Sequence, residues 1–311
     1  MDILMPISKK RSDKQVFEIF SGMGGFSQGF EPYFEVVKAV DIDSEACQTY
    51  KRNHPEVDVR CADVRDVTYA KKDFSGIVAV VGGSPCDDFS QMNFKADPNS
   101  DKSRLLLEYH RAIKEIQPEF FILENVPRVP KKIKDAMKLS FERMGYKVTS
   151  RHVLSADLGS VQRRKRWIMT GSKRRHFYPP KVPHHRTARE ILIPGEIPEI
   201  KMRGETWEKV RSLPPSAVGK WVALPGQKRA SYFIIAEDQL MPSIVNPSRS
   251  RYIDPERKRL LSLRELCMAQ GFPKDYQIPE QTVTAKSRQV AKAVPVEVAT
   301  AFAREARRKL D

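Results

Sequence analysis

Three stretches of the chain carry residue types that could break and make bonds. Gly82-Gly83-Ser84-Pro85-Cys86-Asp87-Asp88-Phe89-Ser90 follows the apolar run Ile77–Val81. Two glycines and a proline turn the chain sharply there and would present the Cys86 sulfur, since ligands and catalytic groups in open α/β sheets gather at the carboxyl ends of strands. Cys86 is therefore a candidate nucleophile; the other role open to a cysteine is that of a small buried hydrophobe. Leu123-Glu124-Asn125-Val126 closes a second apolar run, where a carboxylate is costly unless it has a task or a partner; a helix-capping acid is the alternative. In Gln162-Arg163-Arg164-Lys165-Arg166-Trp167, strand alternation directs Arg164 and Arg166 to one face and Arg163 and Lys165 to the other. That face is either an anion site or a solvated basic edge.

A fourth stretch points to a ligand rather than to a reaction. Phe20-Ser21-Gly22-Met23-Gly24-Gly25-Phe26 lies between a strand and a helical segment, where glycines let backbone N–H groups and a helix N-terminus approach a bound group. About twenty residues on, Asp41-Ile42-Asp43 ends the next strand, at the spacing of an acid that accepts from ribose hydroxyls. Asp63 follows a third candidate strand and could accept from an adenine amino group or be a plain surface-turn acid. Together they suit a nucleoside cofactor. The glycine pattern is not the strict G-x-G-x-x-G of dinucleotide enzymes, which speaks against a nicotinamide oxidoreductase.

The elements that would hold these residues alternate. Short β-rich runs at Val16–Phe20, Val36–Val40, Gly76–Val81, Phe120–Leu123, Tyr146–Leu154 and Arg166–Thr170 are separated by helical spacing over Ser44–Asn53, Ser103–Ile116 and Lys131–Met144. This pattern predicts βαβ units and a mostly parallel sheet. From residue 172 to 258 prolines crowd the chain and long periodic helices are few, which predicts a small irregular or β-rich domain. Leu263–Gln270 and Gln289–Lys309 are again helical in spacing. The second places Val290, Ala293, Val294, Val298, Ala301 and Phe302 on one side, and is expected to pack back on the first domain.

With 311 residues the chain is long enough for two domains at roughly 100–200 residues each. Lys and Arg number 55 against 39 Asp and Glu, a formal net charge of +16, and this favours an acidic partner, nucleic acid ahead of a membrane surface. Ten basic residues and a single acid, Asp157, lie between Arg151 and Arg186. No apolar stretch approaches the ~18 residues that span a bilayer, and Met1–Asp13 lacks the apolar core of a signal peptide. Cys47, Cys61, Cys86 and Cys267 are widely and irregularly spaced, which argues against a disulfide framework, against a zinc site, and for a reducing compartment.

Taken in order, these residues resemble the DNA (cytosine-5) methyltransferase family. Phe20–Phe26 is similar to the family's cofactor loop, Pro85-Cys86 to its nucleophile motif, Glu124-Asn125-Val126 to its Glu-Asn-Val, and Gln162, Arg164 and Arg166 to its Q-x-R-x-R. Arg264-Glu265 with Gln270-Gly271-Phe272-Pro273 resembles the motif that supports target recognition, and Arg288-Gln289 with Ala293-Val294-Pro295 the closing motif. The chain departs from the family pattern at Asp87, where Gln is usual, at Asp41, where Glu is usual, and at Ala291-Lys292, where Gly-Asn is usual.

The resemblance implies a doubly wound, Rossmann-like α/β domain that uses S-adenosyl-L-methionine, over residues 14–171. It implies an inserted target recognition domain over 172–258 and a return segment over 259–311. Cofactor contacts would fall at Phe20, Ser21, Gly22, Met23, Gly24, Gly25, Phe26, Asp41, Ile42, Asp63, Val64, Pro85 and Leu105. Cys86, Glu124, Arg164 and Arg166 would be catalytic, and no metal is expected. Ser90, Gln91 and Met92, in a loop closing over a flipped-out cytosine, and Lys173, Arg174, Arg175, Arg249 and Arg251 would contact double-stranded DNA. The expected protein is a monomer in the cytoplasm with the nucleoid, away from membranes. Its cognate restriction endonuclease would act on the same site without direct contact.

Overall fold

A computed structural model describes residues 14–85, 101–183, 186–229, 231–245 and 251–310. Its centre is a seven-stranded sheet of β1 (Gln15–Ile19), β2 (Glu35–Asp41), β3 (Asp58–Cys61), β4 (Ile77–Gly83), β5 (Phe120–Asn125), β6 (Lys147–Leu154) and β8 (Lys165–Ser172), in the order β3-β2-β1-β4-β5-β8-β6. The first five run parallel, and β8 enters antiparallel between β5 and β6. The mostly parallel sheet expected from the alternation, and the doubly wound α/β class that the resemblance implies, are the fold observed. The switch in strand order between β1 and β4 opens a crevice at the carboxyl ends of those strands, the general ligand position in such sheets.

Both faces of the sheet are covered, so its central strands are apolar on alternate sides. Phe120 and Ile122 of β5 face one hydrophobic cluster, and Phe121 and Leu123 face the other. The second cluster also takes Leu106, Tyr109 and Ile113 from α3 (Asp101–Ile116) and Met137 and Phe141 from α4 (Lys131–Arg143). The first takes Phe26 and Phe30 from α1 (Gly25–Phe30) and Tyr50 from α2 (Ser44–Asn53).

The helix expected over Gln289–Lys309 is two helices, α7 (Val283–Lys292) and α8 (Val296–Leu310), parted at Ala293-Val294-Pro295. Proline lacks the N–H that would continue α7 and biases Val294 away from the α region, so the apolar spacing ran on through a chain that breaks. Packing against the first domain is as expected: Val298, Ala299, Phe302, Ala303 and Ala306 of α8 join the cluster that holds Phe26 and Phe30.

Between residues 172 and 263 the chain builds a second, four-stranded sheet in the order β13-β12-β10-β9, from β9 (Trp221–Val222), β10 (Tyr232–Ile234), β12 (Arg251–Asp254) and β13 (Arg259–Leu260). The short helix α5 (Gly204–Arg211) adds Val210 to its core. The two parts are stitched by a parallel bridge between β7 (Gln162–Arg163) and β11 (Met241–Pro242), and by α6 (Leu263–Ala269). The buried Glu265 of α6 takes two bonds from Arg259, at 2.6 and 2.7 Å, and one from the Ile193 N–H. Among the described residues no helix is long and apolar enough to cross a membrane.

Phe302 is fully buried and comes from the far end of the chain. Phe302→Ala is expected to lower unfolding stability by about 3–5 kcal/mol, read as a shift in urea midpoint at unchanged slope; a loss under about 1 kcal/mol would mean that α8 is only loosely docked.

Candidate active site

The carboxyl ends of β1, β2, β4 and β5 surround a cavity of about 250 Å³ lined by Phe20, Ser21, Gly22, Gly25 and Phe26 of the glycine loop, by Asp41 and Ile42, by Pro85, and by Glu124, Arg164 and Arg166. A second hollow, of about 260 Å³, shares Phe20, Asp41, Ile42 and Pro85 and adds Asp63, Val64 and Leu105. Of the sequence-predicted ligand and catalytic residues that are described, all but two of the loop line one space or the other. Met23 and Gly24 line neither space, and the Met23 side chain is buried in the core cluster that joins the two parts.

Glu124 is the penultimate residue of β5 and is paired at 2.8 Å, through Oε1, with Nε of Arg166; their side chains are 10% and 16% exposed. The register explains the meeting. Asn125 lies opposite Trp167 and Glu124 opposite Ile168, so Arg166 sits one residue past the end of β5 and reaches back. Gly83 lies beside the same carboxylate, where any Cβ would come to 2.6 Å of Glu124 Oε2. Asn125 ties the end of β5 to the end of β4: its amide donates to Ser84 Oγ at 2.7 Å while its Oδ1 accepts from Val126 N–H at 2.7 Å. Pro85 is thus held at the cavity wall, one residue before the proposed nucleophile. Cys86 itself, with Ser90, Gln91, Met92 and Arg249, lies outside the described residues.

Arg164 shares the cavity but spends its guanidinium on the backbone, donating at 3.0 Å to the carbonyls of Ile244 and Ala291. It clamps the small domain and the return segment to the sheet. Gln162 does related work, donating to the Ala269 carbonyl at 2.8 Å and to Gln270 at 2.6 Å.

The glycine loop is built around Asp41. Its Oδ2 accepts from Gly22 N–H at 2.7 Å and its Oδ1 from Asp43 N–H at 2.9 Å. Burial raises this carboxyl above its ordinary value, against the pull of those two N–H groups. Asp43 caps α2 through the N–H groups of Glu45 and Ala46, and Arg288 ties Asp43 and Glu45 to α7 at 3.0 and 2.9 Å. Asp63 is held below its ordinary value by bonds from Arg65. Phe20 adopts a positive φ of 58°, a costly conformation for a bulky residue and one that clusters at ligand sites.

A family model described as C-5 cytosine-specific DNA methylase matches residues 14–308. The chain belongs to that family. It is 28% identical to the Type II methyltransferase M1.HphI of Haemophilus parahaemolyticus, over 92% of this chain and 84% of that protein. It is also 28% identical to the Type II methylase M.HgiDII of Herpetosiphon aurantiacus, over 95% and 96% of the two chains. Among solved structures, the methyltransferase EhMeth of Entamoeba histolytica superposes with a TM-score of 0.77 at 14% identity, over 97% of this chain and all of that one. Dnmt2 of S. pombe does so with a TM-score of 0.71 at 16% identity, over 94% and 98%. The expected family is thus the one found, and the chain is a DNA (cytosine-5) methyltransferase.

The basic run Lys173-Arg174-Arg175, expected to contact DNA, lies away from the cavity. Ser172 pairs with Phe120 at the start of β5, so the run leaves β8 at the opposite end of the sheet, roughly 13 Å along the strand from Glu124 at ~3.3 Å per residue. There Lys173 donates to the Gln117 carbonyl at 2.8 Å and Arg174 pairs with Glu119 at 3.3 Å. The charge density was legible in the sequence, but the antiparallel direction of β8 was not. Exposed Arg163 and Lys165 stand at the cavity end instead. Arg251 opens β12 in the small sheet, half-buried. Cys47 and Cys267 are buried, which pushes both thiols up to about 12 and rules them out as ready nucleophiles.

Glu18 was missed by the sequence reading, although a charged residue inside the strand Val16-Phe17-Glu18-Ile19 was its signal. It lines the cavity from beneath, fully buried, and accepts from the Ser27 N–H at 3.1 Å, from the Ser27 hydroxyl and from Tyr50. Burial pushes its carboxyl up from 4.5 to about 7, against those hydrogen bonds and nearby His54. The folded state therefore holds this proton more tightly than the unfolded chain. Glu18 contributes stability that is full below about pH 4.5 and lost as pH rises through about 7. Glu18→Gln is expected to flatten the fall in melting temperature between pH 5 and pH 8 and to be the more stable protein at pH 8, by up to roughly 3 kcal/mol. Parallel pH profiles for the two proteins would contradict the assignment.

Proposed function

We propose that this chain is a site-specific enzyme that transfers a methyl group from S-adenosyl-L-methionine to carbon 5 of a flipped-out cytosine in duplex DNA, through a covalent adduct of Cys86. The observation that carries the reading is the Glu124–Arg166 pair, standing in the cavity that Pro85 also lines.

The cavity fits the cofactor. Ser21 Oγ is buried without a hydrogen-bond partner and lines it, and Ile42 beside it is an apolar side chain left 67% exposed. A bound nucleoside would give the first a partner and the second a cover. Asp41 and the Gly22 backbone would hold the ribose side, Asp63, Val64 and Leu105 the adenine side, and Ser21 and Phe26 the amino-acid side. When bound, the cofactor supplies an electrophilic methyl group.

The protein's own task is to make carbon 5 nucleophilic. The Cys86 thiolate adds to carbon 6, forming a carbon–sulfur bond and pushing the ring's electron pair toward carbon 5. The Arg166 guanidinium, beside the carbonyl oxygen, favours the thiolate and the charge that builds on the ring. Glu124 accepts from the exocyclic amine and shares a proton with ring nitrogen 3, which takes it up as sulfur adds, while Arg166 keeps the carboxyl group in place. After methylation the carbon 5 proton leaves to a base or water, the carbon–sulfur bond breaks, and Cys86 is regenerated. A stacked base cannot reach this depth, so the cytosine must be extruded at a cost of a few kcal/mol. The small sheet domain, residues 172–258, would read the DNA sequence, and Arg163 and Lys165 at the cavity mouth would meet phosphates. The names of the relatives place them in Type II systems, and this chain would have a restriction endonuclease of the same specificity as its counterpart.

Cys86→Ser and Cys86→Ala are expected to abolish tritium transfer from labelled cofactor to duplex DNA and to lose covalent trapping on 5-fluorocytosine DNA, with DNA binding retained. Glu124→Gln should slow transfer by about 10²–10⁴. Methylation by the Cys86→Ala protein would remove the nucleophile assignment, and transfer to tRNA but not to DNA would remove the substrate.

A further inference from the structure

The glycine loop is fixed from two sides. Asp41 holds Gly22. The carbonyl of the next residue, Met23, accepts a hydrogen bond from the Tyr276 hydroxyl, a group that arrives 253 positions later in the chain. A carbonyl can only accept, and a tyrosine has one proton, so Tyr276 must give that proton to Met23. Its oxygen is then left to accept from His54 Nε2–H, 3.2 Å away. Burial, with Glu18 next, raises the Tyr276 phenol well above its ordinary value, and this keeps the proton on it. The other ring nitrogen of His54, Nδ1, meets the Glu31 carboxylate. The imidazole is 1% exposed and so has both nitrogens spoken for.

This chain of bonds is a built joint. Asn53 bonds the Gln277 backbone in both directions, donating to its carbonyl at 2.7 Å and accepting from its N–H at 2.9 Å, while Arg52 donates to the Gln277 side chain at 2.6 Å. The end of α2 and the segment after α6 are thereby locked in register. Gly24 is also required: with φ at 91°, a Cβ there would lie 2.9 Å from His54 Nε2 and 3.0 Å from Tyr276 Oη.

We infer that Glu31, His54 and Tyr276 form a hydrogen-bond relay that positions the Met23 carbonyl, and with it the cofactor loop, so that the neighbouring Ser21 and Gly22 are presented to the cofactor in binding geometry. None of the three lines the cavity; they are positioning residues, and the loop they set is the one assigned above to S-adenosyl-L-methionine, so the inference rests on that assignment. Its consequence is an effect on cofactor affinity rather than on the rate of the chemical step.

The test uses the full chain and calorimetric binding of S-adenosylhomocysteine, together with steady-state methylation of DNA. Tyr276→Phe keeps the ring and removes the bond. It should weaken binding and raise KM for the cofactor about five- to tenfold, with kcat at saturation within about twofold. His54→Leu should match it, and His54→Gln, whose amide can donate from the place of Nε2, should recover most of the affinity. Hydrogen–deuterium exchange of the peptide covering residues 20–26, with no cofactor present, should be faster in Tyr276→Phe than in the parent. Unchanged affinity and exchange in Tyr276→Phe, or a loss of kcat and folded protein at unchanged affinity, would overturn the relay. A parent chain that binds neither S-adenosylhomocysteine nor S-adenosyl-L-methionine would instead overturn the cofactor assignment, and the relay with it.

Discussion

A carboxylate at the end of an apolar strand has to be compensated, and here the compensation organises the site. Glu124 stands at the end of β5 because Arg166 reaches it at 2.8 Å from the antiparallel neighbour β8. That reach depends on register. A slip of one residue in a strand turns every side chain to the other face, and Arg166 would then leave the cavity. The same carboxylate needs Gly83, since a side chain there would occupy its place. Truncating one partner of such a buried pair leaves the other uncompensated, which costs more than the pair itself contributes.

Other parts of the molecule secure this arrangement from a distance. Asn125 pins Ser84, two residues before Cys86 in the sequence. Arg164 bonds the carbonyls of Ile244 and Ala291, drawing the small domain and the return segment onto the sheet. The apolar face of α8 brings Phe302 into the cluster that holds Phe26 and Phe30 of α1, the helix that follows the glycine loop. Chemistry at the sheet edge and stability of the core are thus served by neighbouring residues of the same elements, as in Phe26, which lines the cavity and belongs to the core.

The two departures from family pattern that fall in described residues can be read in these terms. Asp41, shorter than Glu by one methylene, places its two oxygens on the Gly22 and Asp43 N–H groups. It is half-buried, and Lys292, at the second departure, is a positive charge that works against the rise its desolvation causes. The Ala291 carbonyl, in turn, is the acceptor for Arg164.

How much of this was legible in the chain differs by residue. Alternating apolar runs gave the α/β class, and strand ends marked by Gly82-Gly83, Glu124 and Asp41 gave the cavity wall, because catalytic groups in a parallel sheet collect at one edge and local pattern reports where strands end. Periodicity does not report where a proline interrupts a helix pattern that continues on both sides, which is why α7 and α8 read as one. Nor does it report strand direction, which sent Lys173, Arg174 and Arg175 to the far edge of the sheet. Glu18 and Tyr276 acquire their roles only from what packs on them: one is enclosed by Ser27 and Tyr50, and the other is brought to Met23 from the opposite end of the chain. Local sequence fixes which residues end a strand or begin a turn; which distant hydroxyl meets which carbonyl is decided by the burial of apolar faces, which acts over the whole chain at once and leaves no mark at any single position.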